Sequence, residues 1–241
     1  MRMVGAKRAT SDAVVEGTQV MKIVISGSGI AGAAAALFLA RKGHEVLVVE
    51  RAPSFQKRGY AITLKNFGLK LMTELGLHDE IERHSLHLDE LRLYQQDGRL
   101  LQVYPHEITD RITHGQVLLY RSELHALLYE ATRTANMPTR FGAEIRAVEQ
   151  GAHRVTIHLE DGGVEKADLL VVAEGVRSAT RKLIFGDEGV RLFDVAYAAA
   201  TVKLDHGLDP RAVHGYFGEG QNIRPFQHYY LDAVPAARIQ F

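Results

Sequence analysis

An α/β fold is what this sequence predicts: a βαβ unit near the start, an antiparallel β-meander after residue 144, and part of a second β-sheet at the end. Three observations predict it. Residues 21–51 run from an apolar stretch through a glycine-rich turn and an alanine-rich helical stretch to a second apolar stretch. Asp-Gly pairs at 97–98 and 161–162 lie between β-type runs, the short-range mark of a hairpin. A third apolar strand, 169–172, leads directly into a turn and a short helical run.

The opening unit is Rossmann-like in each of its parts. Ile23, Val24 and Ile25 make the first strand, and Gly27-Ser28-Gly29-Ile30-Ala31-Gly32 is a GxGxxG turn. Gly27 permits the tight exit from the strand. Gly29 has no Cβ, so a pyrophosphate can approach the helix N-terminus, where free N–H groups and the helix dipole favour an anion. Gly32 lets the helix pack closely on the strand. The second strand, 46–49, stops at Glu50, which lies 18 residues beyond Gly32. That is near the spacing of about 20 at which an acid meets the adenosine ribose hydroxyls. A carboxylate there repels a 2′-phosphate, which favours FAD or NAD over NADP.

Farther along, a loop bends at Gly59, and a helix from Lys65 directs Leu69, Leu71, Met72 and Leu75 to a core before Gly76 ends it. A second short helix covers 78–84. Runs 88–95 and 99–104 form a hairpin, 105–118 read as loop, and Arg121 opens an amphipathic helix bearing Leu124, Leu127 and Leu128. Strands follow at 144–149, 154–159 and 164–172, the last ending in a buried segment, then a helix to Phe185 and a long strand at 193–203. The tail from Pro225 lacks strand alternation.

Composition narrows the function classes. At 46% hydrophobic and 24% charged residues over 241, the chain has ordinary globular content. Lys+Arg and Asp+Glu both count 29, so no net field directs it to nucleic acid or an anionic membrane. The 12 histidines are scattered and there is no cysteine, so no metal site, disulfide or thiolate chemistry is expected, and a cytoplasmic location fits. No run is long and apolar enough to span a bilayer. Residues 1–20 read as a disordered extension without a signal-peptide core.

Several signals occur in order: GxGxxG with Glu50-Arg51, then Arg58-Gly59-Tyr60-Ala61-Ile62, then Leu119-Tyr120-Arg121-Ser122-Glu123-Leu124, then ADLLVVAEGVRSATR from Ala167 to Arg181. Together they resemble the single-component, FAD-dependent aromatic-ring monooxygenases of the para-hydroxybenzoate hydroxylase type, over about residues 21–190. The resemblance implies an FAD-binding part in two pieces (21–86 and 106–190), a hairpin of the substrate domain (87–105) and an incomplete substrate domain (191–241). It implies that Gly27, Ser28, Gly29, Ile30, Ala31 and Gly32 hold the FAD pyrophosphate. Glu50 would bind the adenosine ribose, Arg51 the adenine end, and Arg58 and Arg121 the flavin side. NAD(P)H would be co-substrate, with O₂ and a small, aromatic substrate as partners. Oxygen would transfer through a flavin C4a-hydroperoxide. The oligomeric state is left open.

Two departures stand out. Glu174 occupies the place of the family's Asp in an acid-glycine motif near the pyrophosphate, one methylene longer. The family's later Gly-Asp motif is missing: Gly186-Asp187 comes too early, and Gly218-Glu219-Gly220 is an isolated glycine pair. The chain is therefore expected to stop inside the substrate domain. Two alternatives stay open beside the monooxygenase: an FAD-binding remnant without activity, and a reductase-type flavin oxidoreductase on the same fold. A halogenase with paired tryptophans is excluded, since the chain has no Trp.

Overall fold

A computed structural model describes residues 19–57, 59–95, 97–113, 116–186, 190–191, 199–202, 207–209, 211–217, 226–230 and 237–240. Lys22–Ser26 (β1) is apolar toward both faces, and that decides the layering. Ile30–Arg41 (α1) follows the glycine turn, and Glu45–Glu50 (β2) returns parallel to β1, pairing Ile23 with Val46 and Ile25 with Val48. Ile23, Ile25, Val46 and Val48 pack toward Ala36 of α1, whereas Val24 and Val49 face the opposite layer. A strand buried on both sides reads as a continuous apolar run, which is why residues 23–25 show no alternation.

The next elements are Ala61–Leu64 (β3), Asn66–Glu74 (α2) and His78–Arg83 (α3). Arg41, in the last turn of α1, donates to the carbonyls of Glu74 (2.6 Å) and Leu75 (2.7 Å), satisfying acceptors that the end of α2 leaves open. Glu90–Gln95 (β4) and Leu100–Pro105 (β5) form the antiparallel hairpin around Asp97-Gly98. Residues 105–118 are not a loop. Among the described ones are the helix His106–Thr113 (α4) and the start of the strand Val117–Tyr120 (β6), which pairs antiparallel with β3. The pairing partner of β6 lies far back in sequence, so a short apolar run beside Gly115 gave no local sign of it.

Arg121–Thr134 (α5) packs against α1, joining Leu124 and Leu128 to Ala33, Leu37, Leu75, Ile81 and Leu119 in one buried cluster. Leu128 is fully buried. Leu128→Ala is expected to cost about 3 kcal/mol of unfolding free energy, measured by urea denaturation.

Thr139–Phe141 (β7) extends the parallel sheet, and Ile145–Gln150 (β8), Val155–Leu159 (β9) and Val164–Ala167 (β10) form the meander. Ile145, Ile157 and Ala167 of the meander close over Val24 and Val49. The stretch 164–172 is two strands. Asp168 breaks it, its N–H and carboxylate both engaging the backbone of Lys22 at 2.8 Å, and Leu169–Val172 (β11) passes into the parallel sheet. That sheet has the order β11-β1-β2-β7, so β11 is a half-exposed end strand among the described residues rather than a buried one.

Ala179–Phe185 (α6) follows, then Ala199–Val202 (β12), Ala212–Phe217 (β13), Phe226–Tyr230 (β14) and Ala237–Gln240 (β15). With β4 and β5 these make a six-stranded sheet ordered β12-β15-β14-β13-β4-β5. Of the strand expected at 193–203, residues 199–202 are a strand and the rest lie outside the described residues. The tail, expected to be non-strand, supplies β14 and β15. Leu91 and Val213 pack on Ala61 and Tyr120. By strand alternation Tyr94, His214 and Tyr216 lie on the other face, where Tyr94 stacks on Tyr216 at 5.0 Å.

Candidate functional site

The site forms where β1 and β2 end. Gly27 has φ +101°, and a Cβ there would fall 2.6 Å from the Ala173 carbonyl oxygen. A Cβ on Gly32 would fall 1.8 Å from the Gly27 carbonyl oxygen. These two glycines are demanded by the fold itself. Gly29 is different. Its backbone (φ −65°, ψ −179°) suits any residue, and a Cβ there meets nothing within 4 Å.

Gly29 is the N-cap of α1, no side chain caps this end, and the first turn carries no acidic residue. Ile30 and Ala31 open that turn. The cradle is thus open and positive in character, the requirement for a pyrophosphate. By this test the residues present fit a dinucleotide.

Glu50 at the end of β2 turns back onto the glycine loop. Its carboxylate accepts from the Ser28 N–H (2.8 Å), the Ser28 hydroxyl (3.1 Å) and the Ala52 N–H (2.8 Å). A cleft lined by Ser26, Gly27, Glu50, Arg51, Ala143, Glu144, Glu174 and Ala179 runs beside it across the C-terminal ends of the strands, where open α/β sheets bind ligands. Three carboxylates against one arginine suit a hydroxyl-bearing sugar better than a phosphate. The exposed Arg51 borders the same cleft.

Glu174 is committed to the chain's own donors. It accepts from the hydroxyls of Ser26, Ser178 (2.7 Å) and Thr180 (2.5 Å) and from the Thr180 N–H (3.0 Å). Ser178 in turn caps α6 by accepting from the Arg181 N–H at 3.0 Å. The longer side chain therefore ties the end of β1 to the start of α6. Burial pushes this carboxyl up, but the bonds from Ser26, Thr180 and Ser178 outweigh it and hold it below the ordinary glutamate range. A carboxyl lowered in the folded state contributes stability above its ordinary pKa and loses it as pH falls through the folded value. Glu174→Gln is expected to flatten the acid limb of stability against pH, read by urea unfolding. Glu174→Ala, which strands these donors, is expected to cost roughly 2 kcal/mol near neutrality.

Arg121 begins α5, and its N–H donates to the Tyr60 carbonyl at 2.7 Å. Gly59 lies so close over it that a Cβ would come within 3.1 Å of the Arg121 Cβ. The loop before β3 is thereby fixed on the start of α5. Arg58 lies outside the described residues, as does the 218–222 glycine pair. Gly186, with φ +75°, ends α6.

The structure also brings in residues that sequence reasoning passed over. His125, one turn after Arg121 on α5, reaches the Ser28 carbonyl at 2.8 Å. Its spacing from Arg121 (i, i+4) was the available signal. Ser26 left none, because it meets Glu174 across 148 positions, whereas Thr180 stands only six residues beyond Glu174, in the first turn of α6. Among the described residues no group of three or more His, Cys, Asp or Glu could hold a metal ion, and no helix is long and apolar enough to cross a membrane.

The FAD binding domain family matches residues 18–217. The 6-hydroxynicotinate 3-monooxygenase of Bordetella bronchiseptica is 30% identical over 89% of this chain and 59% of its own length. A flavin-dependent monooxygenase of Legionella longbeachae is 27% identical over 78% of this chain and 48% of its own. The chain thus spans about half the length of these curated relatives. The crystal structure of CtdE in complex with FAD superposes with a TM-score of 0.75 at 19% identity, over 92% of this chain and 58% of that one. Klebsiella pneumoniae HpxO, complexed with FAD and uric acid, gives 0.73 at 24% identity, over 92% of this chain and 56% of that one; both show a shared fold. With 200 of its 241 residues (18–217) matched, the chain belongs to the FAD binding domain family, alongside flavin-dependent monooxygenases.

Proposed function

We propose that this chain is the FAD-binding portion of a monooxygenase that uses NAD(P)H and O₂ to hydroxylate a small aromatic substrate. The observation that carries the reading is the open cradle at Gly29 beside a carboxylate at the end of β2. Its glycine is not required by packing, and the space it leaves admits a ligand at the helix N-terminus.

In this reading Gly27 and Gly32 shape the turn, and the backbone from Ser28 to Gly32 holds the pyrophosphate. Glu50 exchanges its Ser28 hydroxyl contact for the ribose hydroxyls, and Arg51 flanks the adenine. Arg58 and Arg121 serve the flavin side. Glu174 acts by position, fixing the end of β1 against α6. Bound FAD supplies the redox chemistry, accepting a hydride and activating O₂, while the protein orients it and excludes water. The choice of an electron-rich ring rests on relatives such as the 6-hydroxynicotinate enzyme.

The test is reconstitution with excess FAD, desalting, and measurement of the retained flavin absorbance, followed by NAD(P)H oxidation with candidate aromatic acids. Retained flavin with substrate-stimulated oxidation supports the reading. Retained flavin without oxidation reduces it to a flavin-binding module, and no retained flavin overturns it.

A further inference from the structure

We infer that His125 is a positioning residue that aims the glycine-loop backbone at the pyrophosphate of the cofactor; this rests on the dinucleotide reading above. The Ser28 oxygen is a carbonyl and can only accept, so the 2.8 Å contact requires His125 Nε2 to carry the proton and donate. Ser28 precedes the N-cap of α1, and the first intrahelical acceptor is the Gly29 carbonyl, which takes the Ala33 N–H at 2.9 Å. The Ser28 carbonyl is therefore not part of the helical ladder, and the imidazole supplies its partner.

The consequence follows from peptide geometry. No cis peptide occurs among the described residues, so the carbonyl of Ser28 and the N–H of Gly29 point in opposite directions from one rigid plane. Holding the carbonyl toward α5 turns the Gly29 N–H away from α5. Among the described residues nothing in the chain accepts from that N–H. Gly29 is also the residue beside which a side chain would meet open space.

The Ser28 N–H is pinned on the other side by Glu50 at 2.8 Å. Both peptides flanking Ser28 are thus fixed, one by β2 and one by α5. The imidazole is itself set by its neighbours. Phe55 lies against it with ring centroids 4.8 Å apart, and Phe55 stacks on Tyr129, one turn farther along α5, at 4.3 Å and 6°. Arg121 and His125 stand four residues apart on α5, so one helix fixes both the loop before β3 and the glycine loop.

The test compares ADP with adenosine, since only ADP carries the pyrophosphate. Binding of each to the full chain is measured by calorimetry for wild type, His125→Phe and His125→Gln. Phenylalanine keeps the stacking on Phe55 and removes the donor; glutamine places an amide N–H near the same point. His125→Phe is expected to weaken ADP about tenfold as the Gly29 N–H loses its aim, with adenosine affinity unchanged and a cooperative melt retained at a slightly lower temperature. His125→Gln is expected to recover most of the ADP affinity. Equal ADP affinity in wild type and His125→Phe overturns the inference, as does a parallel loss for ADP and adenosine, which marks a general structural role. Failure of the wild type to bind ADP at all overturns the dinucleotide reading, and with it this inference.

Discussion

Gly29→Asp is expected to abolish flavin retention while leaving the folded protein intact, or slightly more stable. The backbone at Gly29 has φ −65°, which aspartate adopts freely, and the added Cβ meets no atom within 4 Å. As the N-cap of α1, an aspartate can accept from the first-turn N–H groups, an exchange worth a few tenths of a kcal/mol over glycine. The same carboxylate then occupies the anion site. A pyrophosphate brought within about 4 Å of it meets a repulsion of roughly 4 kcal/mol at an effective dielectric near 20. The cradle N–H groups are also taken. FAD affinity is expected to fall at least about 100-fold, or some 2.7 kcal/mol. Flavin absorbance after desalting and a thermal melt of the flavin-free protein check both halves. Near-normal FAD affinity in this variant would mean that the cofactor lies elsewhere.

Gly32→Ala is expected to do the reverse, removing the folded state itself. The new Cβ would lie 1.8 Å from the Gly27 carbonyl oxygen and 3.0 Å from its carbon, both backbone atoms of the turn. No side-chain rotation relieves that contact, so α1 must lift from β1. Ala33, Ala36 and Leu37 would leave the two clusters that hold α1 on the sheet and on α5. The loss is expected to exceed about 4 kcal/mol, in the range of the severest single substitutions. Urea unfolding of the soluble fraction, or its absence, reads the effect. A variant that melts cooperatively near the wild-type temperature would contradict the packing described for this turn.

These paired outcomes separate what a glycine motif does for folding from what it does for binding. The motif was legible because its information is local: strand, turn, helix, strand and acid all fall between Lys22 and Glu50. The hairpin around Asp97-Gly98 and the meander around Asp161-Gly162 were legible for the same reason. The helix at His106–Thr113 and the strands at Phe226–Tyr230 and Ala237–Gln240 were not. Their stability comes from a sheet whose strands are drawn from residues 90–105 and 199–240, and local pattern carries little of that. The break at Asp168 was equally invisible, because its partner is Lys22.

At the site the same division holds. The place of Glu50 at the end of β2 followed from spacing, whereas the Ser26 hydroxyl on Glu174 and the imidazole on Ser28 arrive from elements distant in sequence. Arg121 entered through resemblance, and the structure adds the contact of its N–H with Tyr60 that sets the start of α5.

The seat of Gly27 against Ala173 has a consequence for the order of assembly on the ribosome. β1 emerges early, and β2 can pair with it at once. The other edge of β1 waits for β11, with Lys22 and Asp168 separated by 146 positions. Until residues 169–180 have left the exit tunnel, the first glycine turn lacks its wall and Glu174 lacks Ser26. The nascent chain therefore carries a half-built strand edge until residues 169–172 are available, open to mispairing. The glycine turn gains its wall only once residues 173–174 can fold back on β1, so a chain ending before them is expected to lack a finished cradle.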